Sequence, residues 1–527
     1  MSNTDGTVPL DPAVRGDVVV ERTGPTRAND MRVELRGVEP VHHSTRFGNP
    51  GRLFTLWFSG QLSPSTLFVG VLGTASFIDL GWKLGVVAIV VGNVLGSITV
   101  AMLAVIGTRT GVPQTQQSRM AFGRLIQFPA GLTWLTQVGF EALAAVFGAQ
   151  ALRVMFNLNF YIALAITFAC MAVLSIVGYE LIHLFEKIMA VVLLVLFAIV
   201  TGYTFSAHPH IVSHSSGGPL VGGFLLMAGI VYGYAVSWGL NGADTSRYLP
   251  HNTPTVQTFT AVYGGLCTGM IWIEILGFAA SALFKTLGSM AGVYKVVGGG
   301  AVGQVAMVGM FLGTLAILAI EDYGASLQAQ ALGVRIIRPL LTVASAGVAF
   351  AVASWLEAGN IYIKFDDILL LITYWTAAWT AIVLVNWIMK GRRMDADSSH
   401  RLFSERIPKL PLEKQHVWAA IALFVGFVAC LPFSETTTGT SIDNAAHGFH
   451  WLFGGVSNHF LFGGTIAYPV AFIVGGVVYA GALLVLRSRE SSGAARSMAP
   501  AVAFAGHTAS GRGTEPVTVS SEIASED

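Results

Sequence analysis

Long apolar runs follow one another from residue 53 to residue 486, separated only by short polar connectors, and no other feature constrains the fold as strongly. About 20 mostly apolar residues are needed to cross a bilayer as a helix. Roughly twelve runs meet that length: 53–77, 84–107, 131–156, 160–180, 184–206, 219–240, 258–284, 301–332, 339–356, 366–389, 416–433 and 463–486. With 53% of residues hydrophobic and only 11% charged, the apolar surface exceeds what a water-soluble core could hide. A membrane β-barrel would show short alternating strands, whereas these runs are continuous and rich in Leu, Ala, Val and Gly. The expected fold is an all-α polytopic membrane protein, one integrated bundle over residues 46–487. Disordered cytoplasmic tails are expected at 1–45 and 488–527, the second rich in Ser, Ala, Gly and Thr.

An even number of spans puts both termini on one side, and the distribution of Lys and Arg decides which. One set of connectors carries Arg109, Arg119, Arg124, Lys187, Arg247, Arg335, Arg338 and the basic run from Lys390 to Lys414. The other carries only Lys83, Arg153, Lys285, Lys295 and Lys364. The first set is expected in the cytoplasm, with both termini. The start of the chain lacks a basic residue cluster followed by an apolar core, so the first span is expected to act as the insertion signal. A net charge of +1 offers no electrostatic argument for nucleic acid. Cys170, Cys267 and Cys430 all fall inside spans and read as small buried hydrophobes. His447, His450 and His459, beside Trp451 and Phe453, read as part of an interfacial aromatic anchor, since no carboxylate or Cys at ligand spacing accompanies them. His208, His210 and His214 read as a solvated external loop.

Two spans are interrupted near the expected membrane centre. In the first, Gly60-Gln61-Leu62-Ser63-Pro64-Ser65-Thr66 contains a proline that removes a backbone donor, and hydroxyl groups that can satisfy freed partners. In the sixth the sequence is Ser237-Trp238-Gly239-Leu240-Asn241-Gly242. Discontinuous helices at corresponding positions of two inverted halves mark the binding site of many transporters, and spans one and six are the first members of two five-helix repeats. Asp244 and Arg247, which follow the second interruption, are expected to cap and clamp its half-helix rather than to touch a ligand.

Four acids lie inside spans, where each needs a reason. Glu141 shares a helical stripe with Gln137, Ala144 and Gly148. Glu321 and Asp322 point about 100° apart, Glu321 on a face with Thr314 and Gln328, Asp322 on the next with Ser326. Acids so placed cannot all ionise cheaply, which suggests proton exchange. Glu274 reads equally as a structural contact between helices. A flat ligand would stack on an aromatic ring, and Trp238 and Phe140 are the rings nearest the interruption and Glu141.

The connector Gly111-Val112-Pro113-Gln114-Thr115-Gln116-Gln117-Ser118-Arg119-Met120-Ala121-Phe122-Gly123 is similar to a motif of the nucleobase:cation symporter-1 family, in its purine-cytosine permease branch. Gly70-Val71-Leu72-Gly73, Ala243-Asp244-Thr245-Ser246-Arg247-Tyr248-Leu249-Pro250 and Tyr374-Trp375-Thr376-Ala377-Ala378-Trp379 extend the resemblance, which covers roughly 47–390 well and the last two spans loosely. It implies a LeuT-like fold, with ten core helices in a five-plus-five inverted repeat, helices 1 and 6 broken, two extra helices, and cation-coupled uptake by alternating access. It also implies a base held between an aromatic residue of span three, here Phe140, and a Trp of span six, here Trp238. The sequence departs from the family in having Phe140 where Trp is usual, Ala144 where an Asn contact is expected, and Leu318 and Gly324 at polar positions of span eight.

The expected activity is secondary active import of a purine or pyrimidine base such as cytosine. The substrate contacts would be Phe140, Glu141, Gln137, Trp238, Gly239, Gln61, Ser63, Ser65 and Glu321. Cation coupling would fall to Glu141, Glu321, Asp322 and Glu274. No cofactor or metal is expected; a proton is favoured over sodium as the co-transported ion, because no Ser or Thr pair of span eight can be placed as a sodium site. No nucleic-acid or protein partner is expected beyond the bilayer and the solute. A carrier of the same fold for a ureide, vitamin or amino acid is the main rival. A channel lacks its repeated filter segment here, and an enzyme lacks its metal, nucleophile or phosphate-loop motif.

Overall fold

The computed structural model describes residues 37–75, 78–214, 216–283, 290–358, 373–391, 402–403, 407–434 and 452–503. Among them every regular element is helical. The first span is divided into α1 (Pro50–Gly60) and α2 (Pro64–Val71). There follow α3 (Trp82–Thr110), two single turns α4 (Gln114–Gln117) and α5 (Arg119–Phe122), α6 (Gln127–Phe156), α7 (Phe160–Val177) and α8 (Tyr179–Ser206). The sixth span is α9 (Gly218–Ser237), a 3-10 turn Trp238–Asn241 and α10 (Gly242–Ser246). The remainder are α11 (Thr255–Ser281), α12 (Met290–Val296), α13 (Gly300–Ala331), α14 (Arg338–Glu357), α15 (Tyr374–Met389), α16 (Lys414–Cys430), α17 (Gly455–Phe460) and α18 (Ala467–Ala503).

Local chemistry explains the helix ends. Gly111 closes α3 with a left-handed φ of 73°, its N–H bonded to the Gly107 carbonyl, and Asn157 closes α6 with φ 52°. Asn159 opens α7 by accepting from the Tyr161 N–H at 2.9 Å. Ten of the described spans are long and apolar enough to cross a membrane. The first falls short because it is divided. The tenth starts at Tyr374, since 366–372 of its expected range lie outside the described residues.

Packing sorts the helices into two groups. α3 packs on α9, α10 and α11, and α11 packs on α1 and α2; separately, α6, α7, α13 and α14 all pack on one another. α8 touches members of both groups. The most extensively packed pair of all is α6 with α13, in the second group. The chain divides at Ala480 into two compact units, and the residues discussed below belong to the first.

Residues 37–48 form a strap along the end of the bundle that carries the basic connectors. The Val41 N–H donates to the Gly111 carbonyl at 2.9 Å and the Phe47 N–H to the Tyr248 carbonyl at 2.7 Å. Arg46 donates to the Thr108 carbonyl at 2.8 Å, and Arg247 to the Gly37 carbonyl at 2.8 Å. Burial lowers the Arg46 guanidinium to about 10, which leaves it charged at neutral pH. Residues 37–45 of the strap fall in the first tail as drawn from the sequence, whose boundary at 45 comes later than the packing does. At the other end α18 runs on to Ala503, past the expected boundary at 487.

Candidate substrate-binding site

The stripes seen in the sequence face each other across the α6–α13 seam. Gln328 Nε2 approaches Gln137 Oε1 at 3.4 Å, Glu141 lies in electrostatic range of Glu321 and Asp322, and a Cβ on Gly148 would come within 2.8 Å of Thr314. Rising residue numbers on one helix meet falling numbers on the other, as antiparallel neighbours require. This seam runs past both interrupted spans. A Cβ on Gly313 would strike the Leu62 carbonyl at 2.4 Å, and one on Gly324 would strike Asn241 Oδ1 at 2.6 Å. Glycine at these two positions lets the interruption in span one and that in span six sit against the same helix.

The interruptions also touch each other's spans directly. Trp57, in the turn before Gln61, meets Trp238 edge to face with ring centroids 5.9 Å apart, and Tyr234 also meets it edge to face at 6.5 Å. Thr66 Oγ1 and the Tyr234 hydroxyl share a hydrogen bond of 2.9 Å. Trp238 is only 5% exposed, so its ring is turned into the protein and away from lipid.

Within this enclosure several polar atoms have no hydrogen-bond partner in the protein: both amide atoms of Gln61, both carboxyl oxygens of Glu141, and Glu321 Oε2. All three side chains are buried. No ion pair among the described residues involves Glu141 or Glu321. An acid inside the hydrocarbon zone costs about 3 kcal/mol even on the mildest scales, so two together without a cation argue for a role beyond packing. Orphaned donors and acceptors at a ring-lined enclosure are what a small polar heterocycle can satisfy.

The other expected site residues divide. Phe140, next to Glu141 on α6, is buried, and Gly239 lies in the 3-10 turn with Leu103 and Thr380 as its neighbours. The ring partners of Trp238 are Trp57 and Tyr234, so Phe140 and Trp238 are not in mutual contact. Ser63 starts α2, its hydroxyl accepting from the Thr66 N–H at 3.3 Å, and Ser65 sits in the next turn, 7% exposed. Asp322 lies within electrostatic range of both Glu141 across the seam and the Arg338 guanidinium, which donates to the Ser175 and Ile176 carbonyls. Glu274 accepts from Asn93 Nδ2 at 2.6 Å, a bond between α11 and α3 inside the first helix group. That leaves Glu141, Glu321 and Asp322 as the acids of the seam. Asp244 does less for its own helix than the sequence suggested: its Oδ1 accepts from the Gln114 N–H at 2.8 Å, pinning the connector.

Sequence reasoning passed over Trp57, Thr66, Tyr234 and Glu186. Tyr234 stands one turn before Trp238 and Trp57 one turn before Gln61, so helical spacing from the interruptions was the available signal. Glu186, buried on α8, accepts from Ser59 Oγ on α1. Arg52 and Glu180 pair at 3.0 Å between the same two helices. Among the described residues no His, Cys, Asp and Glu group could hold a metal ion; His447, His450 and Trp451 lie outside them. His214 bonds Asp79 through its backbone N–H at 2.9 Å in the connector between α8 and α9.

Residues 40–453 match the family described as permeases for cytosine/purines, uracil, thiamine and allantoin. The chain belongs to that family. Its relatives include a Bacillus subtilis protein named as a purine-cytosine permease, 27% identical over 68% of this chain and 79% of that one. Another is a purine-cytosine permease of Emericella nidulans, 27% identical over 73% and 79%. The fold is similar to that of Mhp1, a nucleobase-cation-symport-1 family transporter solved in a closed conformation with bromovinylhydantoin bound. The TM-score is 0.66 at 16% identity, covering 86% of this chain and 96% of that one. A sodium-coupled sialic acid symporter gives a TM-score of 0.53 at 12% identity, over 82% and 90%. This permease of the nucleobase:cation symporter-1 family is thus a multi-span membrane transporter of LeuT-like fold.

Proposed function

We propose that this permease imports a nucleobase, a purine or cytosine, in symport with a proton. The observation that carries the reading is the enclosure between the two interrupted spans, where Gln61, Glu141 and Glu321 present orphaned polar atoms beside the Trp238 ring. A base offers a π-face to the indole and a rim of donors and acceptors to the amide and carboxyls. Phe140 closes the far side of the ring, and Gly239 lets the base lie close to the backbone of the 3-10 turn. The printed names of the Bacillus and Emericella relatives support this substrate class, as does the hydantoin on Mhp1.

The basic end of the bundle faces the cytoplasm by the distribution of Lys and Arg. A proton entering from outside neutralises one member of the Glu141–Glu321 pair, removes their repulsion, and lets the site close over the base. When the site opens inward, the proton leaves and the restored charge weakens the hold on the base. Alternating access then rests on one group of helices rocking against the other, with α8 tied to α1 through Arg52–Glu180 and Ser59–Glu186 and packed on α13 of the other group.

The test is uptake of radiolabelled cytosine, adenine, hypoxanthine and uracil into proteoliposomes under an imposed proton or sodium gradient, with allantoin as a competitor. Accumulation of a base driven by the proton gradient alone, and its loss in Glu141→Gln, is expected. Wild-type accumulation and pH dependence in Glu141→Gln would remove that residue from both binding and coupling.

A further inference from the structure

On the basic side of the enclosure the polar lining changes from acids to amides. Gln137 stands one turn from Glu141 on α6, and Gln328 two turns from Glu321 on α13, about 6 and 10 Å along their helices. Gln328 Nε2 is shared between Gln137 Oε1 at 3.4 Å and Asn241 Oδ1 at 3.5 Å. Beside Asn241, a Cβ on Gly242 would lie 3.4 Å from Gln114 Oε1, so α4 brings a fourth amide to the same place. Gln114 Nε2 reaches Gln117 Oε1 at 3.4 Å, which adds a fifth. None of the five side chains is more than 2% exposed.

Every contact among these amides is at the long end of hydrogen-bonding distance, and Gln114 Oε1 and Gln328 Oε1 accept from no protein group. A polar cluster built only to hold helices together gains nothing from loose bonds and orphaned buried carbonyls. The backbone around it is by contrast firmly tied, the Asp244 carboxylate holding the Gln114 N–H at 2.8 Å. Side chains are loosely paired on a rigid frame, as in a site that completes its bonds with a ligand. No Lys, Arg, Asp or Glu is among the five, so the ligand they suit is neutral.

We propose that Gln114, Gln117, Gln137, Asn241 and Gln328 form a second binding station between the central enclosure and the basic end, which takes a neutral planar cyclic amide or amidine. Ring N–H groups meet the Gln114 and Gln328 Oε1 atoms, and a ring carbonyl or imine nitrogen meets their Nε2 atoms. This rests on the reading that the chain carries a nucleobase-like solute. It adds that the base, once its proton has left the Glu141–Glu321 pair, rests on uncharged groups before release.

The full chain in proteoliposomes, with radiolabelled cytosine or hypoxanthine as probe, tests it through Gln328→Leu and Gln114→Leu. Each variant is expected to keep the half-saturation for entry from the outer side within about twofold. Half-saturation for exit from preloaded vesicles should rise about tenfold, the range expected for one ligand hydrogen bond lost in a buried site. Gln328→Asn, which keeps an amide, should recover most of the exit rate. Equal weakening from both sides would put the amides in the central site, and wild-type exit kinetics with only a lower melting temperature would make them a structural zip; either overturns the station. If Gln328→Leu does not fold, Gln114→Leu gives the same readings. Failure of the wild-type chain to carry either probe would instead strike at the nucleobase reading itself, and the station would fall with it.

Discussion

The interruptions in spans one and six occupy corresponding places but are made differently. After Gly60 the chain leaves helical geometry: Ser63 is extended, with φ −136° and ψ 158°, and a new helix starts at Pro64. Proline has no N–H to continue the old ladder, so the Ser63 hydroxyl caps the new one. In span six no residue becomes extended. Ser237 and Trp238 stay right-handed, at φ −61° with ψ −30° and −13°, and the helix tightens into a 3-10 turn before α10 resumes. The first is a rupture that frees backbone groups; the second is a tightening that keeps most of them paired and turns the Trp238 ring and the Asn241 amide inward. Pro64 accounts for the rupture, and the glycines of span six, with no proline beside them, accommodate the tightening.

If that difference is real, the rupture should tolerate crowding far less well. Gly313→Ala puts a methyl 2.4 Å from the Leu62 carbonyl, a backbone atom that cannot step aside without moving the rupture. We expect a loss of about 1–3 kcal/mol of stability, the usual range for overpacking, and uptake reduced at least tenfold. Gly239→Ala meets only the end of the Leu103 side chain at 3.2 Å and Thr380 Oγ1 at 3.9 Å. Its melting temperature should stay near wild type, so that any loss of uptake comes from the methyl meeting the base and not from unfolding. Thermal melts in detergent and initial uptake rates for the two variants side by side are the check. Similar losses of stability in both would mean that the interruptions are equivalent.

The same contrast shows what the sequence could and could not reveal. Pro64 and the hydroxyls around it announce a rupture, and the Gln137-Glu141-Gly148 and Thr314-Glu321-Gln328 stripes announce two faces that prefer each other to lipid. The two faces were therefore legible before any coordinates, while their meeting as an antiparallel seam was not. The second interruption looked equal to the first, because Gly239 and Gly242 permit a gap and a tight turn alike, and only the geometry separates them. The Trp57–Trp238 and Thr66–Tyr234 contacts were not legible, since they join residues far apart in the chain whose proximity depends on how the spans pack. For the same reason the sequence left open whether Glu274 is a structural contact between helices, and its partner turned out to be Asn93. Spacing assigns a residue to a face; it does not say which helix the face will meet.

A smaller effect separates the caps. Ser63→Ala removes the acceptor of the Thr66 N–H at the start of α2, and the loss of a serine cap costs about 1 kcal/mol. Ser237 only returns a hydrogen bond to the Tyr234 carbonyl one turn back, at 2.7 Å, so Ser237→Ala should leave the melting temperature unchanged within error. A Ser237→Ala variant as destabilised as Ser63→Ala would mean that span six also needs a cap, and that its helix ends and restarts there as fully as span one does.

The smallest effect concerns how each half-helix is anchored at the basic end. α1 is tied to α8 by Arg52–Glu180, while the chain after α10 is tied to the strap through Arg247 and Tyr248. On the strap side, His43 and His251 meet edge to face at 4.9 Å, and burial together with the Arg46 charge lowers both below the usual 6.5. His42 beside His43 and Arg109 beside His251 push the same way. A histidine whose value is lowered on folding binds fewer protons folded than unfolded, so its contribution is complete above about 6.5 and is lost as pH falls through the folded value. Both rings are largely exposed, which keeps the effect small. Amide hydrogen exchange over 37–48, corrected for its intrinsic pH dependence, should quicken a few-fold between about pH 7.5 and 5.5, and the double variant His43→Gln, His251→Gln should remove that change. Exchange over 50–60 in α1, whose anchor contains no histidine pair, should not follow it; if it does, the two half-helices share one anchor and the strap does not distinguish them.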